Sequence, residues 1–283
     1  MFKRIFTFLI FTTFIVFGIF AVRSFLEADK EIKSSPKTSS AKPTPIPVNP
    51  AASEIELLSK IANLFSAANP DIEYGIFVYS LKTGRNFGFN EVGARHAASV
   101  SKILTATYLL KNVEDGKVKL NDKMGTYNVE FNLKQLVNQS NNISWNMIDD
   151  LLGVEPQNEF AKSIGLSTFE LRENTLSPKE AAMLFIKIYK DGLLNESSRR
   201  RLFSYMQNTE TENLIPPAIP EDIPLYHKTG MFEGEVHDVA IIDHPTNPFV
   251  LSIFTANKLY PDYEGRAQLI QKVASEVYAY MTK

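Results

Sequence analysis

Apolar and polar positions follow either helical spacing or strand alternation along the chain, and each change between the two indicates where a predicted helix or strand begins. Residues 55–65 carry apolar side chains at helical intervals, and Asn69-Pro70 ends the predicted helix. Residues 74–80 form a short apolar run, and residues 87–89 continue with apolar alternation after a turn. The pattern therefore predicts that the globular part opens with one helix and two strands.

The segment from about residue 99 to 113 is apolar on nearly every side, which predicts a buried helix. Residues 117–220 alternate between short amphipathic stretches and polar loops, which predicts a helical block. Its clearest start is Ser177-Pro178-Lys179-Glu180, where a serine cap precedes a proline at the first helical position and a glutamate that completes a capping box.

Strand-like segments return after residue 220 and are followed by a last amphipathic helix. The β-rich segments are 223–229, 236–243 and 249–256, and the helix covers 265–281. Because hairpin-length turns join the segments, we predict an α/β fold of the α+β type with one five-stranded antiparallel sheet flanked by helices. The terminal helices are expected on one face and the 99–113 helix on the other. The helical block, about 117–220, is predicted to be an inserted subdomain, with a cleft where the two parts meet.

The N-terminal segment has the properties of a membrane anchor. An apolar run over residues 5–22 follows Lys3-Arg4 and, as a helix, would span about 27 Å, close to the hydrocarbon thickness of a bilayer. Because no small-x-small cleavage site follows, residues 1–22 are predicted to be an uncleaved signal anchor and transmembrane helix. A cleaved signal peptide is the alternative.

Residues 23–52 are polar, and five prolines fall between positions 36 and 50, which predicts a semi-extended linker. The globular domain is then predicted over residues 53–283. Basic residues on both sides of the apolar run leave its orientation in the membrane open by charge alone.

Charge balance and the absence of cysteine exclude several function classes. Among 283 residues, 30 are basic and 32 acidic, so bulk electrostatics does not indicate nucleic-acid binding. The chain has no cysteine, which removes disulfides, thiol catalysis and thiolate metal sites.

The start of the 99–113 helix carries the first candidate chemistry. Ser99-Val100-Ser101-Lys102 places a serine hydroxyl and a lysine amine one helical turn apart on the same face. A neighbouring base activates a serine nucleophile, and a helix N-terminus offers unpaired N–H groups to an oxyanion. The same pattern occurs at 34–37 and 39–42, but those copies lie in the predicted linker.

Two further motifs are predicted to line the same cleft. Ser140-Asn141-Asn142 lies in a loop of the helical block, and Lys228-Thr229-Gly230 ends the first returning strand, before a turn over 230–235. Copies at Lys82-Thr83-Gly84, in a turn, and Ser144-Trp145-Asn146 show that neither motif is specific alone. Their order and their structural context distinguish the first set.

Together the three motifs resemble those of the class A β-lactamase-like branch of the penicillin-recognising serine hydrolases. Residues 131–142 also resemble that family's segment leading into its Ser-Asp-Asn loop, and Asn146 matches an asparagine that the family keeps there. The resemblance covers about residues 53–281. It implies a β-lactamase/transpeptidase-like fold, no metal or cofactor, and a monomer that binds a β-lactam or a peptidoglycan stem peptide.

The resemblance also implies a role for each catalytic position. Ser99 would be the acylated nucleophile, Lys102 would take its proton directly or through a water, and Ser140 would pass a proton to the leaving nitrogen. The backbone N–H groups of Ser99 and Met231 would form the oxyanion hole.

The remaining motif residues are implied to bind substrate. Asn142 would hydrogen-bond the amide side chain of the substrate, and Lys228 and Thr229 would bind its carboxylate, next to Gly230.

Two departures from the family pattern concern this assignment. Asn141 stands where class A enzymes usually have aspartate, in a supporting position. The stretch 166–176 is too short for the usual loop that carries the deacylating glutamate. Glu173 is the first candidate for that base and Glu170 the second, and either could equally be a solvated loop carboxylate. Without such a base, the protein would behave as a penicillin-binding protein or a peptidoglycan peptidase.

The histidines support competing hypotheses. His227, His237 and Asp238 could belong to a Ser-His-Asp hydrolase, but no Gly-x-Ser-x-Gly elbow is present. A zinc site from His96, His227 and His237 would lack the helical spacing of histidine ligands. His227 is interpreted as a strand residue that packs beside Lys228 or tunes the site.

We therefore expect a β-lactamase-type serine hydrolase, anchored in the cell membrane with an extracytoplasmic catalytic domain, or secreted if the N-terminal segment is cleaved. The close alternative is a D-Ala-D-Ala carboxypeptidase that uses the same acyl-enzyme chemistry. A non-catalytic β-lactam-binding or sensor module is the alternative from another class.

Overall fold

The computed structural model describes residues 51–190, 192–257, 259 and 262–283. The predicted anchor and all but the last two residues of the predicted linker lie outside these ranges. Within them, no helix is both long enough and apolar enough to cross a membrane.

A five-stranded antiparallel sheet organises the described residues, as predicted. Its strands are β1 (Glu73–Ser80), β2 (Asn86–Phe89), β7 (Leu225–Phe232), β8 (Glu235–Ile242) and β9 (Phe249–Ala256), in the spatial order β2-β1-β9-β8-β7. Two small ladders pair β3 (Arg95–His96) with β6 (Thr175–Leu176) and β4 (Lys123–Met124) with β5 (Tyr127–Asn128). The early and late strands therefore meet where β1 pairs with β9.

Eight α-helices accompany this sheet in the part of the chain that the structure describes. They are α1 (Ala52–Ala68), α2 (Lys102–Glu114), α3 (Val129–Asn138), α4 (Asn142–Leu152), α5 (Val154–Ser163), α6 (Pro178–Lys190), α7 (Glu196–Tyr205) and α8 (Tyr263–Met281). Asparagine caps start three of them, because Asn128 accepts a hydrogen bond from Phe131 N, Asn141 accepts one from Ser144 N and Asn195 accepts one from Ser198 N. The inserted helical block is thus present between the two strand groups.

One face of the sheet packs on the terminal helices, as predicted, but the other face differs from the prediction. The apolar sides of α1 and α8 share a core with alternate residues of β1, β8 and β9. The opposite face is covered by α6, whereas the predicted covering helix, α2, packs among α3, α4, α5 and α7. This position inside the helical block explains why α2 is apolar on nearly every side.

The hairpin between β7 and β8 is tighter than predicted. Strand β7 continues through Lys228-Thr229-Gly230 to Phe232, so the motif lies inside the strand and the expected turn over 230–235 is wrong. Glu233 (φ 43°) and Gly234 (φ 87°) alone reverse the chain, both in the left-handed conformation that two-residue hairpins favour.

Candidate active site

The nucleophile candidate Ser99 lies in a short 3₁₀ helix, Ala98–Ser101, that leads directly into α2. Ala98 has φ 47°, a left-handed conformation that is uncommon for a residue with a side chain. We call residues 97–101 the nucleophile turn. Local strain of this kind persists only when the surrounding structure holds the backbone in place.

Strand β7 is one of the elements that hold the nucleophile turn. A Cβ atom added at Gly230 would lie 2.9 Å from Ala97 O and 3.1 Å from Ser99 N, so a glycine is needed for this close approach. Gly230, which the sequence placed at the start of a turn, is therefore required by its close packing against the nucleophile turn. Its position brings the backbone of β7 alongside the N–H of Ser99.

The geometry is consistent with the oxyanion pair that the sequence predicts. His227 N donates to Met206 O, which lies beyond the free edge of β7, away from β8. Because N–H directions alternate along an antiparallel strand, Met231 N–H points to that same free edge. A Cβ added at its neighbour Gly230 would lie 3.1 Å from Ser99 N, so both predicted donors lie in one region of the molecule.

Lys102 is fully buried and its amine has three polar contacts. Nζ donates to Ser140 O (2.5 Å) and to Asn142 Oδ1 (2.6 Å), and lies 3.4 Å from Ser140 Oγ. Burial lowers the pKa of Lys102 to about 8, against the opposing attraction of the Asp149 carboxylate. The neutral form, which a general base requires, is therefore far more populated near neutral pH than in an ordinary lysine.

Lys228 approaches Ser140 from the opposite side. Its Nζ donates to Ser140 Oγ and to Thr229 O, both at 3.0 Å. Burial, followed by repulsion from Lys102, lowers the pKa of Lys228 to about 7. An anionic substrate group at this position would favour the ammonium form of Lys228.

The structure thus brings together Lys102, Ser140, Asn142 and Lys228 from α2, α4, β7 and the loop before α4. Ser140 has φ 53°, and its loop is fixed by a hydrogen bond from Asn141 N to Gln135 O (3.0 Å). Because Asn142 Oδ1 accepts from Lys102, its amide nitrogen remains available to donate to a ligand.

The two carboxylates weighed as deacylating bases do not contact this cluster. Glu170 accepts hydrogen bonds from Asn158 Nδ2 at 2.8 and 2.9 Å, and this bond lowers the pKa of its carboxyl. Glu173 is exposed, and none of the described residues donates a hydrogen bond to it. Its assignment as the base stays a prediction without a contact in its support.

Asn174 is a site residue that sequence reasoning missed. Its Nδ2 donates to Ala98 O (2.9 Å), its Oδ1 accepts from Ser101 Oγ (2.6 Å), and its backbone O accepts from Ala97 N (2.7 Å). With φ 49° it adopts the left-handed conformation that asparagine tolerates better than most residues. The loop thus contributes an amide that fixes the nucleophile turn.

The histidines are not assembled into either competing site. His227 Nδ1 lies 3.0 Å from Asp238 Oδ1, but its Nε2 faces Glu212 and Thr209 and no serine. His237 Nε2 donates to the backbone O of His96 (3.0 Å). No group of histidine and carboxylate side chains among the described residues is placed to hold a metal ion.

Similarity to known proteins agrees with this geometry. The model of the β-lactamase enzyme family matches residues 56–281. A structure of PBP-A is 26% identical, with a TM-score of 0.75, over 83% of this chain and 98% of that chain. A mutant of PBP-A, solved as an acyl-enzyme complex with penicillin G, is 25% identical, with a TM-score of 0.74, over 84% of this chain and 99% of that chain.

An ancestral class A β-lactamase (GNCA) shares the fold at 21% identity, with a TM-score of 0.72, over 79% of this chain and 99% of that chain. The fold and the family match therefore define a class A β-lactamase-like serine hydrolase. The chain belongs to the β-lactamase enzyme family, which confirms the resemblance noted from its motifs.

Proposed function

We propose that this protein opens β-lactam amides through an acyl-Ser99 intermediate and releases the acyl group slowly. The observation that carries the proposal is the buried amine of Lys102, one helical turn from Ser99 and hydrogen-bonded to Ser140 and Asn142. A buried amine with a pKa of about 8 can accept the proton of a neighbouring serine.

Acylation follows from these positions. Neutral Lys102 takes the proton of Ser99 as Oγ bonds to the β-lactam carbonyl carbon, and the N–H groups of Ser99 and Met231 stabilise the oxyanion. When the C–N bond breaks, Ser140 gives its proton to the leaving nitrogen and regains one from Lys102, whose Nζ lies 3.4 Å from Ser140 Oγ. The proton of Ser99 therefore ends on the leaving nitrogen, and Lys102 returns to its neutral form.

Substrate binding uses the remaining motif residues. The ammonium of Lys228 and the hydroxyl of Thr229 bind the substrate carboxylate, while Asn142 donates its amide N–H to the substrate's amide side chain. Because a bound carboxylate raises the pKa of Lys228, binding itself would keep this amine charged.

Slow release follows from the surroundings of the acyl-enzyme. In the described ranges, no carboxylate makes a hydrogen bond to Ser99 or Lys102: Glu170 is hydrogen-bonded to Asn158, and Glu173 is exposed. The same observation favours a second candidate function, a D-Ala-D-Ala carboxypeptidase or related peptidoglycan peptidase that β-lactams acylate. The similarity to PBP-A, a mutant of which forms an acyl-enzyme complex with penicillin G, also supports this candidate.

Both candidates imply a domain that meets cell-wall substrates or antibiotics outside the cytoplasm. We therefore retain, as part of the proposal, a membrane anchor over residues 1–22 with the catalytic domain on the outer side. This part rests on the sequence alone.

The test is to incubate the purified full-length chain with a fluorescent penicillin and a chromogenic cephalosporin, with Ser99→Ala as the control. We expect a stable covalent label in the wild type, little cephalosporin turnover and no label in the control. A chain without Ser99-dependent label would overturn the proposal. Fast turnover that is lost in Glu173→Gln but kept in Glu170→Gln would contradict slow release and identify Glu173 as the base.

A further inference from the structure

The only tryptophan of the chain lies against the amine of Lys102. Trp145 follows Asn142 by one turn of α4, and Lys102 Nζ lies over the indole ring at 5.0 Å from its centroid. One helix therefore presents both an amide oxygen and an aromatic face to the same amine. This distance and orientation match a cation–π contact.

The indole ring is fixed in place by a buried polar chain. Trp145 Nε1 donates to Thr105 Oγ1 (3.1 Å), and Thr105 donates to Gln157 Oε1 (2.7 Å). Gln157 Nε2 in turn donates to Asp149 Oδ1 (2.9 Å). Because Thr105 follows Lys102 by one turn of α2, the ring is attached to the same helix face that carries the amine.

We propose that Trp145 is the positioning residue for Lys102, and that its ring stabilises the ammonium that forms when Lys102 accepts the proton of Ser99. This inference rests on the proposed acylation of Ser99. The ring attracts the ammonium more than the neutral amine, so it acts on the product of the proton transfer and keeps water from that side of the amine.

Two charged groups act on Lys102 besides the ring. Asp149, on α4, favours its ammonium form, and Lys228, on β7, repels it. The other side chains in contact with the amine of Lys102 are Ser140, from the loop before α4, and Asn142, from the first turn of α4, both neutral. The ring and Asp149 therefore oppose burial, which lowers the pKa of Lys102 to about 8.

The first experiment uses Trp145 as its own reporter in the full-length chain without substrate. We expect the tryptophan fluorescence to titrate with a midpoint near the pKa of Lys102, about 8, because protonation changes the charge over the ring. The transition should be absent in Lys102→Met and retained, with a lower midpoint, in Asp149→Asn, which removes the carboxylate that favours the ammonium form of Lys102. A fluorescence titration that persists unchanged in Lys102→Met would contradict the proposed coupling between Lys102 and Trp145.

The second experiment measures the acylation rate by penicillin against pH in Trp145→Leu and Trp145→Phe. Loss of the ring should lower the pKa of Lys102, so the acidic limb of the profile in Trp145→Leu should move down by roughly half to one and a half pH units. The maximal rate should fall by roughly 3- to 30-fold, because the weaker base is also less well placed. Trp145→Phe, which keeps an aromatic face, should recover part of both effects.

These outcomes separate the inference from the proposed function and from a purely structural role. A slower Trp145→Leu with an unmoved acidic limb and a lower melting temperature would reduce Trp145 to a packing residue and overturn the proposal. If wild-type Ser99 is not labelled at all, the acylation chemistry fails, while the fluorescence titration still decides whether Trp145 and Lys102 are coupled.

Discussion

Because Gly230 has no side chain, strand β7 and the nucleophile turn can pack closely together in the candidate active site. Gly230 lies in the middle of β7, where its φ angle is open to any residue, yet a Cβ there would meet the backbone of the nucleophile turn. Space, and not backbone conformation, is what this position requires. Backbone atoms cannot move aside as the end of a flexible side chain can.

Gly230→Ala should therefore displace the nucleophile turn from β7. We expect acylation by penicillin to slow by about 10- to 100-fold, since small displacements of reacting groups have effects of this size. The matched control is Gly93→Ala, because nothing lies within 4 Å of a Cβ added there. Stopped-flow labelling of both variants checks the prediction, and equal rates in Gly230→Ala and wild type would contradict it.

Sequence reasoning found the candidate reacting residues but not the residues that hold them. Ser99, Lys102, Ser140 and Lys228 could be found because their chemistry is visible in residue type and spacing. The function of Asn174 depends on a left-handed backbone and on contacts with a distant segment, neither of which the sequence displays.

Gly230 was misjudged, and Trp145 was overlooked, for a related reason. Gly230 was assigned to a turn because glycine commonly occurs there, whereas close packing between distant segments explains it. Trp145 lies in the second Ser-x-Asn copy, which looked like coincidence until α4 placed its ring against Lys102.

Helix α4 acts as one unit in this site. Its cap is Asn141, and along one face it carries Asn142, Trp145 and Asp149, each of which acts on Lys102 directly or through its charge. The start of α4 therefore determines where the amide and the ring are placed. The replacement of the family's usual aspartate by asparagine keeps a side-chain oxygen for the cap.

Removing that cap should affect both stability and catalysis. Asn141→Ala should lower the free energy of unfolding by about 1 kcal/mol and slow acylation, whereas Asn141→Asp should preserve both. Asn195→Ala removes the same kind of cap from α7, beside Glu114 at the far end of α2. It should reduce stability alone, and a comparable loss of acylation rate in this control would contradict the argument.

The elements themselves were mostly predictable, and the exception is informative. The strands and helices follow apolar spacing and cap residues, which are local properties. The element that covers each apolar face comes from a distant part of the chain, which local spacing does not reveal. For this reason α2 was expected on the sheet, although α6 lies there. A helix that is apolar all round must be surrounded, but its sequence does not say by which elements.

Two buried histidines with opposite pKa shifts make the stability of the whole domain depend on pH. Burial would lower the pKa of His227, but Asp238 and Glu212 raise it to about 9, whereas burial lowers the pKa of His237 to about 4. Both start from an ordinary value of 6.5 in the unfolded chain. Folding therefore favours a charged His227 and a neutral His237.

The signs of these shifts predict opposite pH dependences for the two histidines. The contribution of His227 is present below pH 6.5 and is lost as pH rises towards 9, and that of His237 is present above pH 6.5 and is lost as pH falls towards 4. Each contribution should amount to on the order of 1–3 kcal/mol. The lowered pKa values of the buried Lys102 and Lys228 favour the folded state as pH rises, so the effect of His227 is to be measured as a difference between variants.

Urea unfolding across this pH range checks the prediction. The stability difference between wild type and His227→Gln should shrink as pH rises from 6.5 towards 9, whereas the difference between wild type and His244→Gln, at a half-buried position beside Thr246, should not change with pH. A difference for His227→Gln that stays constant across this range would contradict the prediction.

The hydrogen bond from His227 N to Met206 O has a consequence for association between copies of the protein. An open sheet edge is a template on which a second chain can add a strand. Here Met206 occupies the outer side of β7 at its beginning, and the opposite edge strand, β2, has only four residues. Met206 thus blocks the beginning of one edge and the other edge is short, which limits continuous pairing with another sheet while the far end of β7 keeps backbone groups for the proposed substrate.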